Sequence, residues 1–179
     1  MAYIPVKKTN NKHIKKSSFE IEAKRVVIPA FLTALSIAIV VYLLVSFGFD
    51  IKYGSGSSLI VFASLGSSAF IMFMTPKSKA AKSSKFAKSY LLAGLIGYAS
   101  YLIAAYTGVY IGFFIGVFIM SILMYLLKAE HPPAVGVVLV FIMFKIGILG
   151  IILIVASVIF LLAIKYLFNR VLSKFILFD

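Results

Sequence analysis

The chain has 179 residues, of which 63% are hydrophobic, and it carries a formal net charge of +13 without any cysteine. This composition is too apolar for one water-soluble core, and it excludes disulfides, thiolate metal ligands and a cysteine nucleophile. Apolar runs of about 18 or more residues predict an all-α, polytopic membrane bundle. The basic residues flank these runs, so the charge indicates membrane topology and contact with anionic lipid, and nucleic acid is not an expected partner.

The first 25 residues are polar and basic and lack the apolar region of a secretory signal peptide. Ser17 and Glu20 have the spacing of a capping box, which predicts an interfacial helix from about Ser18 until Pro29 bends it into the membrane. We therefore divide the chain into three parts. These are a basic cytoplasmic segment over 1–25, a transmembrane domain over 26–168 and a cytoplasmic tail over 169–179.

The first four predicted spans are short enough to cross one bilayer each, and they cover residues 26–47, 58–75, 89–106 and 109–127. Between the second and third spans, residues 77–88 carry five lysines, a density typical of the cytoplasmic side. Gly108, Gly112 and Gly116 form a smooth stripe on the fourth span, suited to close packing inside the protomer or against another subunit. Self-association into a homo-oligomer therefore stays open. Aromatic side chains predict an outer belt at Phe47, Tyr53, Tyr106 and Tyr110 and an inner belt at Tyr90, Tyr125 and Tyr166.

The last apolar block, residues 134–168, would be about 52 Å long as one helix, which is more than a bilayer needs. Lys145, Gly147 and Gly150 mark a break, so the sequence predicts a short fifth segment over 133–145 and a sixth over 147–168. With six spans and both termini inside, only Lys52 and Lys145 among the 18 Lys and Arg residues lie outside. This bias favours six spans over the alternatives, which are five spans or a re-entrant fifth segment.

The fifth segment is too short to begin at the membrane surface, because thirteen helical residues cover only about 20 Å. His131, Pro132 and Pro133 are therefore expected at a helix break inside the membrane, lined by a water-accessible vestibule. The amides of Ala134, Val135 and Gly136 would then form an anion site with His131. In the alternative interpretation, Glu130 pairs with Lys128 or caps the turn, and the prolines make a rigid loop.

The second candidate region is a patch of small residues in the second span, Ser64, Gly66, Ser67 and Ser68. Such residues also serve helix packing, with hydroxyls bonded back to helical carbonyls. If the six spans form a three-plus-three inverted repeat, spans two and five are counterparts, as in transporters with a midplane site.

The sequence EHPPA, preceded by ASLGSSAFIMFMTPKSKAAKS, resembles the HPP family of small integral membrane proteins over roughly residues 28–165. The family's small-residue patch and proline loop match here at Gly66, Ser67, Ser68, Ala69, Pro76 and Ser78. Lys82 and Ser83 stand where the family has Gln and a later Pro, and Ser89 and Tyr90 stand where it often has Gly-His. Some plastid and cyanobacterial members are nitrite transporters, so the resemblance implies passage of a small monovalent anion.

We therefore expect a transporter or channel for a small inorganic anion such as nitrite, in the plasma membrane of a prokaryote. Ser67 and Ser68 would donate to the anion opposite His131, and Lys77 and Lys82 would raise the anion concentration at the cytoplasmic mouth. A scaffold or regulatory subunit is the alternative. An enzyme is not expected, because the sequence lacks a second carboxylate near Glu130, a paired-histidine motif and a phosphate loop, and no cofactor or metal is expected either.

Overall fold

A computed structural model describes residues 11–46 and 55–172, with side chains described over 26–46 and 63–170. These ranges are almost entirely helical and contain no strand. The predicted all-helical membrane bundle is confirmed. The helices are α1 (Asn11–Ser46), α2 (Ser55–Met74), α3 (Ser83–Thr107), α4 (Val109–Leu126), α5 (Val135–Met143) and α6 (Leu149–Leu172). Two 3₁₀ turns, Lys79–Ala81 and Pro132–Ala134, precede α3 and α5.

Four of the helices are long and apolar enough to cross a membrane by length and composition, at Val26–Ser46, Ser83–Thr107, Val109–Leu126 and Leu149–Arg170. Two further apolar helices are shorter, at Ala63–Met74 in the described part of α2 and at Pro132–Met143. The predicted short fifth segment is therefore present. Its end, between Met143 and Leu149, also agrees with the predicted break.

Helix α1 differs from the sequence prediction at its start. It spans Asn11–Ser46 rather than starting near Ser18, so Ser17 and Glu20 lie within the helix and not at its start. Lysine-rich sequence favours helix, which explains why the helix extends this far toward the amino terminus. The helix also continues through Pro29, next to which Thr33 Oγ1 donates to the Pro29 carbonyl at 2.8 Å. Phe47, Lys52 and Tyr53 lie outside the described residues.

Helix α3 packs against α4, α5 and α6. Small residues make these contacts close: Gly94 lies against Ile154 of α6, and Gly97 lies against the ring of Phe141 of α5. Such residues let helix axes approach in membrane proteins, where apolar side chains gain nothing from leaving lipid. Helix α3 therefore fixes the positions of the two helices that follow the His-Pro-Pro turn.

The glycine stripe of α4 packs inside the protomer. A Cβ at Gly112 would lie 2.5 Å from the Ala104 Cβ, and one at Gly116 would lie 2.6 Å from Ser100 Oγ, so both glycines contact α3. Gly108 does not join this contact, because it forms the turn between α3 and α4 with φ +96°, a conformation that glycine tolerates best.

Helices α4 and α5 end in the same way, with a lysine in the left-handed conformation. Lys128 and Lys145 both have φ 51°. The amide of the residue after each lysine donates to the carbonyl five residues before it: Ala129 to Met124 and Ile146 to Phe141, at 2.9 and 3.0 Å. This is the Schellman pattern, in which the left-handed residue is usually glycine. It ends α4 just before Glu130 and so positions the His-Pro-Pro turn.

The charged side chains are concentrated at one end of the bundle, which we call the basic end. Here α2 and α4 end and α3 begins, and Lys165 of α6 contacts the Ala81 carbonyl. The described basic residues at this end are Lys77, Lys79, Lys82, Lys85, Lys88, Lys128, Lys165 and Arg170, while Lys145 lies at the opposite end. The exposed Tyr106, Tyr110, Tyr125 and Tyr166 agree with the predicted belts, whereas Tyr90 is fully buried and does not.

We predict that Gly112→Ala destabilises the protein by about 1–3 kcal/mol, because the new methyl group would overlap the Ala104 side chain and backbone. The same substitution at Gly66 is the matched control, since nothing lies within 4 Å of a Cβ there. The measurement is the fraction of protein that remains monodisperse by size-exclusion chromatography after heating in detergent. Equal heat stability of the two variants would contradict the α3–α4 contact.

Candidate functional site

Four polar side chains come together where α2, α3 and the start of α5 meet. Ser64 and Ser68 of α2, Tyr90 of α3 and His131 form one hydrogen-bonded group, which we call the hydroxyl–imidazole cluster. Tyr90 Oη lies 2.7 Å from Ser64 Oγ and 2.8 Å from Ser68 Oγ. His131 Nε2 lies 2.8 Å from Ser68 Oγ. Tyr90 is seven residues into α3, so the cluster lies about 10 Å from the first residue of that helix.

Both the ring and the backbone amide of His131 contact other residues. Its ring is 0% exposed and packs edge-on against Phe86, with ring centroids 5.4 Å apart. Nδ1 lies 2.9 Å from the Ala80 carbonyl, and the His131 amide lies 3.4 Å from the sulfur of Met124. Because a carbonyl oxygen only accepts, Nδ1 carries a hydrogen and donates it to Ala80.

The loop between α2 and α3 is fastened to the bundle by two side chains. His131 Nδ1 donates to the Ala80 carbonyl, and Lys165 Nζ donates to the Ala81 carbonyl at 2.7 Å. Ser78 adds a local cap, since its Oγ accepts from the Ala81 amide at 3.2 Å. The loop therefore covers the cluster on the side of the basic end. His131 of the turn and Lys165 of α6 hold it there.

Glu130 is paired at the surface of this end. Its carboxylate forms an ion pair with Lys85 of α3 rather than with Lys128, the partner named in the alternative interpretation. The hydrogen bond from Lys85 holds the pKa of the Glu130 carboxyl below its usual value, with smaller contributions from a backbone hydrogen bond and from the charge of Lys79. Since Glu130 is 45% exposed, we assign this pair little stabilising energy. Its charge is, however, already matched.

The structure brings together only part of the predicted site. Ser64, Ser68 and His131 belong to the cluster, and the Pro133 carbonyl joins them by accepting from Ser64 Oγ at 2.6 Å. Ser67 does not, because it is exposed and its Oγ donates to the Ala63 carbonyl of its own helix at 3.2 Å. Gly66 and Gly136 adjoin open space, and Lys77 and Lys82 are exposed at the basic end, as the sequence suggested.

Two details of the predicted anion site are corrected. The amides of Ala134 and Val135 are not bare, because they donate to the carbonyls of His131 and Pro132 in the 3₁₀ turn that begins α5. Within the part of the chain that the structure describes, no vestibule reaches the His131 ring, which is 0% exposed and lies against Phe86 and the loop between α2 and α3. The first correction follows from the 3₁₀ turn, in which the backbone groups bond locally, and the second follows from the contacts of the ring with Phe86, Tyr90 and the Ala80 carbonyl.

Comparison with known proteins settles the family. A family model described as the HPP transmembrane region matches residues 19–175. The chain belongs to the HPP transmembrane family. No curated protein and no solved structure matches it. The motif that names the family is therefore, in this HPP protein, the turn that places His131 in the cluster and the Pro133 carbonyl beside Ser64.

Sequence reasoning missed Tyr90 as a site residue of this HPP protein and assigned it to an interfacial belt. In the structure its ring lies 4.7 Å from Phe86 and 5.9 Å from His131, and its hydroxyl joins the two serines. The sequence did hint at a polar role for this position, because Tyr90 stands where family members often carry a histidine. Among the described side chains, no group of three His, Asp or Glu residues could hold a metal ion.

We predict that Tyr90→Phe lowers the free energy of unfolding by about 1 kcal/mol, because it removes the hydroxyl that joins Ser64 and Ser68 in a buried site. Tyr98→Phe on the same helix is the matched control, since the Tyr98 ring contacts Tyr101 rather than the cluster. Heat stability in detergent, followed by size-exclusion chromatography, compares the two. A Tyr90 variant as stable as wild type would mean that its hydroxyl bonds carry no net stabilisation.

Proposed function

We propose that this HPP protein carries a small inorganic monovalent anion across the membrane, with nitrite as the first candidate. The single observation that carries the proposal is the hydroxyl–imidazole cluster, which lies in the interior of a mainly apolar bundle. Polar groups at this depth are costly unless satisfied, and they usually face a substrate path or the bundle interior. The proposed path runs between α2 and α5, which contribute the serines and the turn that holds His131.

The proposed ligands are side chains rather than helix amides. The Ser64 hydroxyl can turn its hydrogen from the Pro133 carbonyl to an anion. Tyr90, Ser68 and His131 support that hydroxyl through their hydrogen bonds, and hydroxyl and imidazole groups can replace water around a small anion. The amides of Ala134 and Val135 are already bonded, so they contribute only through the turn that they stabilise.

The buried state of His131 supports a carrier in preference to an open channel. A carrier closes its site toward both sides during its cycle, whereas a channel keeps a continuous wet path. The loop held by His131 and Lys165 would be the barrier on the side of the basic end. We assign that end to the cytoplasm by the positive-inside tendency, with Lys77 and Lys82 attracting anions there, in the plasma membrane of a prokaryote.

We predict that purified protein in proteoliposomes takes up nitrite and that His131→Ala and Ser68→Ala reduce the rate at least tenfold, the size expected when about 1.4 kcal/mol or more of binding or barrier stabilisation is removed. Ser67→Ala is the matched control, because Ser67 is the neighbouring serine of the same helix, yet it bonds only to the Ala63 carbonyl. Its rate should equal that of wild type. Chloride and nitrate uptake measured in parallel define selectivity.

Three results would contradict this proposal. Absence of flux for nitrite, nitrate and chloride would remove transport, and it would favour the scaffold or regulatory alternative if a stoichiometric partner co-purifies. Flux that is unchanged in His131→Ala would remove the cluster from the path. Equal losses in Ser67→Ala and Ser68→Ala would show a general effect on α2 rather than a role of the cluster.

A further inference from the structure

The cluster makes more short contacts than its hydrogens can serve when the imidazole is neutral. Three contacts have fixed directions, because carbonyls only accept: Ser64 Oγ donates to Pro133, Ser68 Oγ donates to the Ser64 carbonyl, and His131 Nδ1 donates to Ala80. Three short contacts between side chains remain: Ser64 to Tyr90, Tyr90 to Ser68, and Ser68 to His131 Nε2, at 2.7, 2.8 and 2.8 Å. The Tyr90 hydroxyl hydrogen is left for these three, and the Ser68 hydrogen joins it only when Ser68 turns away from the Ser64 carbonyl. At least one of the three contacts therefore joins two lone pairs, whichever way the hydroxyls rotate.

A hydrogen on His131 Nε2 reduces this shortage by one and serves all three contacts between side chains. Nε2 then donates to Ser68, Ser68 donates to Tyr90, Tyr90 donates to Ser64, and Ser64 donates to the Pro133 carbonyl. Every short contact has one hydrogen, and all bonds of the chain run in one direction. Only the longest contact, Ser68 Oγ to the Ser64 carbonyl at 3.0 Å, goes without. The arrangement of the oxygens and nitrogens is thus the one that a doubly protonated imidazole completes.

The charge of that imidazolium has no counter-charge in the described part of the protein. The titratable or charged groups that face it from the surrounding segments are Tyr90 and Lys85 of α3, Glu130 of the turn, Lys79 of the loop between α2 and α3, and Lys165 of α6. Glu130 is the single carboxylate among them, and Lys85 already neutralises it. Lys165 adds a further positive charge. A buried cation without a partner is unfavourable, so its stable state requires an anion from outside the protein.

We propose that His131 Nε2 binds one proton together with each substrate anion, so that the protein is an electroneutral proton–anion symporter. The proton comes from water on one side and returns to water on the other, and no covalent bond to the anion forms or breaks. The proton completes the hydrogen-bond chain, while the anion supplies the missing negative charge, so each favours binding of the other. This inference rests on the proposed function and names the second substrate of the same site.

The test uses the full chain in vesicles that contain a trapped pH dye, with valinomycin and potassium to set the membrane potential. Nitrite, nitrate and chloride are offered separately, and protein-free vesicles subtract the nitrous acid that crosses lipid unaided. A symporter accumulates the anion up to about tenfold for each unit of inward acid gradient. One proton should enter with each anion, and an imposed potential should not change the rate.

His131→Gln is the informative variant, because its amide can donate to one neighbour and accept from another but cannot take up a proton. We expect it to keep the heat stability of the wild type and to lose accumulation driven by the acid gradient. Glu130→Gln is the control for the nearby carboxylate, and it should keep both the accumulation and the proton entry. Acid-driven accumulation that is intact in His131→Gln, or lost in Glu130→Gln alone, would overturn His131 as the proton site.

The wild-type results separate the two proposals. Uptake that follows an inside-positive potential without proton entry would overturn symport and leave anion transport in place. Absence of uptake for all three anions at every gradient would overturn the proposed function, and this inference with it.

Discussion

One imidazole joins the turn before α5 to two segments that lie 51 and 63 residues earlier in the sequence, and the rest of the site depends on it. His131 Nδ1 donates to the Ala80 carbonyl, in the loop between α2 and α3, at 2.9 Å, and His131 Nε2 lies 2.8 Å from Ser68 Oγ of α2. A helix break at membrane depth leaves backbone and side-chain polar groups that lipid cannot satisfy. Here the imidazole contacts one such group with each nitrogen, and the carbonyls of His131 and Pro132 accept from the amides of Ala134 and Val135 within the turn itself.

The short fifth helix is what makes this arrangement possible. Because α5 has only nine residues, its start lies inside the bundle beside Tyr90, rather than at the level where α3 begins. Close packing of Gly97 against Phe141 then fixes the depth of α5 on α3, and Gly94 does the same for α6. Small residues on α3 are therefore as much a part of the site as the polar side chains, because they determine where His131 is held.

The sequence predicted the helices better than the site. Apolar run lengths, Pro76 and the break near Lys145 were sufficient for the number and order of helices, since membrane thickness restricts the alternatives. The position of a helix in the sequence does not show which of its sides faces the bundle interior, so Ser67 and Ser68 were indistinguishable before the fold was known. The amides of Ala134 and Val135 were predicted as free because a proline at a helix start suggests an open first turn, whereas two consecutive prolines give a closed 3₁₀ turn.

A site made of hydroxyls and an imidazole differs physically from one made of helix amides. Amides only donate and are fixed in direction, so an anion bound to them would leave the rest of the protein unchanged. The Ser64 hydroxyl instead donates its one hydrogen to the Pro133 carbonyl, and this hydrogen bond joins α2 to the start of α5. On the proposed mechanism, an anion that takes this hydrogen must weaken the α2–α5 contact. Ligand occupancy and helix separation would then be linked through a single bond, which is the differential contact that a carrier needs in order to change state on binding.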